Sequence, residues 1–301
     1  MSGLSARPKQ LPPKLFYDAE GSRLFEEITA TPEYYPTRTE YGILQQYASE
    51  IIGAAGSNLS LIELGAGSAS KTRTLIAALL RRQLRLEFLP VDVSPAALEA
   101  AVRSLNGDFP RLHVHPIVAD YSFGVPQLRA LPGRKLVLFI GSTIGNFEPE
   151  EARDFLQHVR GSLRPGDVLL LGFDLVKDAQ VLHEAYNDRA GVTAEFDKNV
   201  LARINRELGG NFCLETFEHV AFWNPAMSRI EMHLESRNDQ VVYVRDLDEN
   251  FHFHRGERIH TENSYKFCDE SISGLLRESG LRLETSWTDP NHWFRVVLAR
   301  I

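Results

Sequence analysis

Leu59-Ser60-Leu61-Ile62-Glu63-Leu64-Gly65-Ala66-Gly67-Ser68 decides how this chain is read. An apolar run of strand type ends in an acidic residue and two closely spaced glycines. Behind it, Lys71-Thr72-Arg73-Thr74-Leu75-Ile76-Ala77-Ala78-Leu79-Leu80 reads as a helix. A strand, a tight glycine turn and a helix form a cradle of the nucleotide-binding kind. Glycine has no Cβ, so the backbone of such a turn can approach a ligand closely. The dinucleotide fingerprint is incomplete, because Ser70 stands where its third glycine would fall.

The same texture continues down the chain. Leu86 to Asp92 reads as a second strand, followed by a helix from Pro95 to Leu105 with Ser94 as its N-cap. His113 to Asp120, Lys135 to Ile140 and Asp167 to Asp174 read as the third, fourth and fifth strands, with a helix from Pro149 to Leu163 before the last. Continuous apolar strands separated by helices predict a parallel sheet covered on both faces. After Asp174 the alternation stops. Lys177 to Leu208 reads as helical, and the segments Glu218–Trp223, Arg229–Glu235, Gln240–Val244 and Phe251–His254 predict an antiparallel sheet with one wet face. A helix from Ser271 to Ser279, closed by Gly280, and strands Arg282–Trp287 and Trp293–Ala299 then resume the first pattern. The expected fold is α/β: a doubly wound sheet, residues 40–175 plus 267–301, with an inserted α+β domain formed by 1–39 plus 176–266.

Composition narrows the function classes. The 301 residues are 43% apolar, enough for a sizeable core, and the net charge of -7 argues against a nucleic-acid partner. No apolar run approaches a membrane span, and Met1 to Gln10 has no apolar core of a secretory signal, so a cytoplasmic protein is expected. Cys213 and Cys268 are far apart in sequence and read as reduced thiols rather than a disulfide framework or a zinc site. His252 and His254 share one strand face, but no third ligand lies nearby in sequence, so no metal is expected. There is no Gly-Lys-Ser/Thr phosphate loop and no Gly-x-Ser-x-Gly elbow.

Ligands of open α/β sheets sit beyond the carboxyl ends of the strands. There the chain places Gly65 and Gly67, then Asp92, then Asp120-Tyr121, then Gly141-Ser142-Thr143-Ile144-Gly145-Asn146-Phe147. Asp92 suits both hydroxyls of a ribose, Asp120 an adenine amino group, and Tyr121 the face of the base. Their coincidence at successive strand ends predicts a nucleoside-type cofactor. Ahead of this domain, Leu11 to Asp18 and Thr31 to Glu40 hold tyrosines close to prolines, a pattern that also suits a packed cap.

Taken together, these segments closely resemble the histidine-specific Nα-methyltransferases of ergothioneine biosynthesis. The resemblance runs over nearly the whole chain. It is carried by Phe16-Tyr17-Asp18, Tyr34-Tyr35-Pro36-Thr37-Arg38-Thr39-Glu40, Glu63-Leu64-Gly65-Ala66-Gly67, Gly141-Ser142-Thr143-Ile144-Gly145-Asn146, Gly172-Phe173-Asp174-Leu175-Val176-Lys177-Asp178 and Thr261-Glu262-Asn263-Ser264. It implies a class I, Rossmann-like methyltransferase fold, S-adenosylmethionine as methyl donor, and conversion of L-histidine to Nα,Nα,Nα-trimethylhistidine (hercynine). It implies that Tyr34, Asn146 and Tyr186 hold the amino acid's carboxylate and α-amine, and that Tyr17 and the Gly141 carbonyl lie near that amine. Tyr17 and Asn146 are thereby the candidate catalytic residues. Glu262 and Ser264 would bind the imidazole, Met232 would shape its pocket, and Lys71 would reach the donor's methionine carboxylate beside Gly65, Gly67, Asp92, Asp120 and Tyr121. The family often has another aromatic residue at the place of Tyr121; the ring is kept.

A site that hydrogen-bonds both imidazole nitrogens rejects an apolar side chain, whose binding would leave its polar groups unpaired. Two alternatives remain open at this point. The wider family includes fungal methyltransferases acting on tryptophan derivatives, so another aromatic amino acid is one. A cofactor-binding module without turnover is the other. No obligate protein partner is evident, which leaves a monomer open.

Overall fold

The computed structural model describes residues 2–121, 128 and 133–301. The chain forms two compact units: Met1–Tyr35 with Lys177–Tyr265, and Pro36–Val176 with Lys266–Ile301. The first unit opens with α1 (Ser2–Ser5), β1 (Lys9–Gln10) and α2 (Ala19–Ala30), and α3 (Tyr35–Ala55) opens the second. Asp18 caps α2 by accepting from the Gly21 amide at 2.7 Å.

The second unit continues through β2 (Leu59–Leu64), α4 (Thr72–Leu80), β3 (Leu86–Asp92), α5 (Pro95–Asp108), β4 (Leu112–Val114), β5 (Ile117–Val118), β6 (Arg134–Phe139), α6 (Pro149–Gly161) and β7 (Val168–Asp174). Ser94 caps α5 as expected, with Pro95 at the first helical position. The third strand departs from the sequence reading. Two short strands, β4 and β5, replace one run from His113 to Asp120, and both pair with β3. Pro116 lies between them; its nitrogen has no proton to give to the ladder.

The first unit resumes with α7 (Ala179–Ala185), α8 (Val192–Leu208), β8 (Phe217–Asn224), β9 (Arg229–Ser236), β10 (Gln240–Val244), β11 (Glu249–Phe253) and β12 (Arg258–Tyr265). The single helical stretch read from Lys177 to Leu208 is two helices. Gly191 (φ 77°) starts the second, and the Asp188 carboxylate accepts from the Val192 and Thr193 amides at 2.9 and 2.8 Å. The expected single antiparallel sheet is also two. One has the order β1-β12-β9-β8, with β1 parallel to β12, and β10–β11 is a separate hairpin. Along β9, Ile230, Met232 and Leu234 are buried while Arg229, Glu231, His233 and Glu235 are half-buried, the alternation of a sheet with two unlike faces.

The second unit closes with α9 (Asp269–Glu278), β13 (Arg282–Thr288) and β14 (Phe294–Arg300). Gly280 ends α9 at φ 70°, with Leu281 donating to the Leu276 carbonyl and Gly280 to that of Arg277. The eight-stranded sheet runs β13-β14-β7-β6-β2-β3-β4, with β5 also on β3. β2, β3, β4, β5, β6 and β7 pair in parallel, and β14 is antiparallel to both its neighbours. Leu61, Leu136 and Leu170 pack into one apolar layer, and Ile62, Val137 and Leu171 into the other. This is the doubly wound sheet that the sequence predicts. The winding reverses between β2 and β6, and a ligand crevice belongs at the carboxyl ends of those strands.

Candidate functional site

In the second unit, the turn after β2 is fixed by β3. The Gly65 and Ala66 amides donate to the Val91 carbonyl at 2.8 and 3.1 Å. Asp92 Oδ2 accepts from the Gly67 amide and Oδ1 from the Ser94 amide, each at 2.9 Å. Asp92 therefore ties the glycine turn to the start of α5, and each carboxylate oxygen keeps a second lone pair. Gly65 and Gly67 have φ of 74° and 49°, values at which a side chain is strained. A Cβ on Gly65 would meet Tyr121 Oη at 3.2 Å, so the Tyr121 ring lies against the turn. That ring stands edge-on to Phe139 and Phe155. Burial, with Asp92 and Asp120 nearby, raises the Tyr121 pKa and keeps the phenol neutral.

Lys71 closes the other side. Its ammonium pairs with Glu40 on α3, and both Glu40 oxygens also accept from the Gly141 amide, at 2.8 and 3.0 Å. Glu40 is fully buried. Sequence reading gives Glu40 no role; it reaches the site from a helix outside the strand-end pattern. Lys71 Nζ lies 3.4 Å from where a Gly141 Cβ would stand. Beyond Gly141, Ser142 adopts φ 56° and its hydroxyl accepts from the Asp174 amide at 2.9 Å, which fixes the turn that ends at Asn146.

Two observations fit this cradle to a nucleoside-type donor. Space stands open above Gly67, where an added Cβ would meet nothing within 4 Å. Glu63, at the end of β2, is buried, and its Oε2 has no hydrogen-bond partner among the described residues. Burial pushes the Glu63 carboxyl up to about 8. A neutral acid there is ready to pair with an incoming polar group.

In the first unit, Glu262 and Ser264 are alternate residues of β12, and Glu262 stands opposite Met232 of β9. All three share one sheet face and are buried. Tyr186, at the end of α7, donates its hydroxyl to Ser264 Oγ at 2.7 Å. Tyr34 stands edge-on to Tyr186 with centroids 6.3 Å apart, Phe25 edge-on to Tyr34, and Tyr17 edge-on to Phe25. The structure thus gathers Tyr17, Tyr34, Tyr186, Met232, Glu262 and Ser264 in this unit, and Gly65, Gly67, Lys71, Asp92, Asp120, Tyr121, Gly141 and Asn146 in the other. Elsewhere, His252 is exposed and His254 Nδ1 lies 3.3 Å from Asp239. No group of three metal-ligating side chains is arranged to hold an ion among the described residues. Cys213 and Cys268 are free and exposed, and no described helix is long and apolar enough to cross a membrane.

A family model described as histidine-specific methyltransferase, SAM-dependent, matches residues 1–301. The chain is 47% identical to the histidine N-alpha-methyltransferase of Mycolicibacterium smegmatis over 99% of this chain and 92% of that protein. It is 44% identical to the protein of the same name from Mycobacterium tuberculosis, with the same coverage. Among solved structures, an S-adenosylmethionine-dependent methyltransferase from Clostridium acetobutylicum superposes with a TM-score of 0.52 at 13% identity, over 93% of this chain and 98% of that one, a likeness of fold.

Proposed function

The chain belongs to the histidine-specific, S-adenosylmethionine-dependent methyltransferases, and we propose that it carries the α-amine of L-histidine through three methyl transfers to the betaine hercynine, for ergothioneine biosynthesis. The observation that supports this reading best is the Tyr186–Ser264 hydrogen bond on the sheet face that also bears Glu262 and Met232.

When bound, the donor supplies a methyl carbon activated by its sulfonium: the amine lone pair forms the N–C bond as the S–C bond breaks, leaving the thioether S-adenosylhomocysteine. The chain's own work is to orient, to desolvate and to move a proton. Asp92 accepts from the ribose hydroxyls with the lone pairs that Gly67 and Ser94 leave free. Gly65 and Gly67 let the backbone come close, Asp120 and Tyr121 recognise the base, and Lys71 offers an N–H to the methionine carboxylate. Tyr34, Tyr186 and Asn146 hold the amino acid's charged ends. Glu262 and Ser264 each meet one imidazole nitrogen, and Met232 lines the pocket wall.

The first amine arrives protonated, and each methylated amine must lose a proton before it attacks again. Tyr17, with the Gly141 carbonyl, is the proposed route for that proton. The rings of Tyr17, Phe25, Tyr34 and Tyr186 favour the cation that grows with each transfer. The free, exposed cysteines suit a reducing compartment, and the cytoplasm is the proposed location.

Mass spectrometry of the protein incubated with S-adenosylmethionine and an equimolar pool of the twenty amino acids tests the proposal. Three methyl groups on histidine alone is the expected result. Methylation of tryptophan instead would overturn the pocket reading, and accumulation of monomethyl-histidine would overturn the count of transfers.

A further inference from the structure

Asp197 on α8 and His219 on β8 form a buried pair that the proposed chemistry does not use. His219 Nδ1 lies 2.6 Å from Asp197 Oδ2, and Nε2 lies 2.9 Å from the Tyr186 carbonyl oxygen. The His219 side chain is 6% exposed and that of Asp197 is fully enclosed. A carbonyl oxygen and a carboxylate both only accept, so both ring nitrogens carry protons and His219 is an imidazolium. Burial opposes that charge, but the hydrogen bond and charge of Asp197, the Tyr186 carbonyl and the charge of Asp188 outweigh it and hold the pKa above the ordinary histidine value. Asp197 Oδ1 has no hydrogen-bond partner among the described residues, so His219 answers its charge through Oδ2.

The far end of this pair is Tyr186. Its hydroxyl meets Ser264 and its ring meets Tyr34. The turn it opens is also tied to β8 by Asn187 Nδ2, which donates to the Ala221 carbonyl at 3.2 Å. We propose that His219 is a positioning residue for the histidine site. Its imidazolium fixes the Tyr186 main chain, and with it the ring and hydroxyl that face the substrate, while Asp197 keeps the imidazole charged so that both nitrogens donate. This rests on the reading of Tyr186 and Ser264 as histidine-binding residues.

Loss of the proton leaves one nitrogen as an acceptor. The charged bond to Asp197 persists and the Tyr186 carbonyl is released. Histidine binding therefore loosens as pH rises through the raised pKa of His219. The groups around the pair do not reverse this. Asp188 adds negative charge from the turn, and its carboxylate is held by the Val192 and Thr193 amides. On β9, Leu234 stands opposite His219, and its neighbour His233, which senses Asp197, is lowered to about 4 by burial and His260 and stays neutral.

The test compares two variants that each keep one bond. An Asn amide reaches roughly where Nδ1 stands and a Gln amide where Nε2 stands. His219→Asn keeps Asp197 and loses Tyr186; His219→Gln does the reverse. The expected result is a histidine KM raised about tenfold in His219→Asn, the size of one lost hydrogen bond. His219→Gln should stay within about threefold of the parent, with the S-adenosylmethionine KM unchanged in both. Equal histidine KM in both variants, or both KM values rising with a fall in Tm, would overturn the proposal.

If neither variant folds, Asp197→Asn decides it. There a neutral imidazole accepts at Nδ1 and still donates from Nε2, so the alkaline rise in histidine KM should vanish relative to the parent; an unchanged rise would overturn the proposal. Tyr186→Phe separates the two layers. An unaltered histidine KM in that variant refutes the substrate reading itself, whereas a raised one beside a normal His219→Asn refutes only the positioning role.

Discussion

Glu40 and Gly172 compete for one volume: a Cβ on Gly172 would stand 2.2 Å from Glu40 Oε1. The carboxylate cannot simply move away, because Lys71 and the Gly141 amide hold it. On the other side, the Phe294 ring lies 3.1 Å from the same point. Glycine in the middle of a buried strand usually weakens it; here it is what admits a buried acid beside Lys71 and Gly141. Gly172→Ala is expected to destabilise the protein by about 2 kcal/mol in denaturant unfolding and to weaken binding of S-adenosylhomocysteine in calorimetry. Unchanged values for both would show that Glu40 has room to move.

Removal of the Glu262 carboxylate should separate the two ligands. Glu262→Ala is expected to weaken histidine binding by about one to two orders of magnitude, the range of a hydrogen bond to a charged group, while S-adenosylhomocysteine binds as before. Isothermal titration with each ligand measures both. Unchanged histidine affinity would remove Glu262 from the imidazole site.

Why Glu262 was reached only through a resemblance is a physical matter. β12 carries Thr261, Glu262, Asn263 and Ser264, all buried, and sequence patterning passes over such a polar run when it looks for strands. The strand exists because β1 and β9 flank it and supply its ladder, and its polar side chains include the proposed imidazole contacts; local rules fail where function overrides them. The same is true of Glu40, a lone acid on a helix. The first half of the sheet was legible because Leu61, Val137 and Leu170 belong to strands buried on both faces, with an acid or a glycine where each ends. The turn at Gly191 was missed because one positive φ divides an otherwise helical pattern.

Glu63 predicts a pH effect of unusual sign. Its folded pKa of about 8 lies above the ordinary 4.5. The folded state thus holds the proton more tightly than the unfolded one, and stability falls as pH rises from 4.5 through 8. The full loss is at most about 5 kcal/mol. Glu63→Gln, which cannot ionise, should melt above the parent at pH 9, and the gap should close as pH falls toward 5. A gap that stays constant with pH would mean that Glu63 is ionised in the fold.

Asp92 accepts from the Gly67 and Ser94 amides and is the proposed ribose contact. Asp92→Ala should therefore weaken S-adenosylhomocysteine by about a hundredfold or more, since two charge-assisted hydrogen bonds are lost with the shape of the turn. A drop of less than about fivefold in equilibrium binding would limit Asp92 to holding the turn.

The pairing of β1 with β12 has a consequence for how the protein is made. Lys9 meets Ile259 in the sheet, and its ammonium meets Glu257, 248 residues along the chain. A ribosome delivers the first strand long before its partner, so β1 waits unpaired while β2 to β7 of the other unit's sheet are synthesised. Closing so long a loop is slow, because its entropy is spent before the contact rewards it. On a growing chain this edge strand is thus the segment most in need of a chaperone.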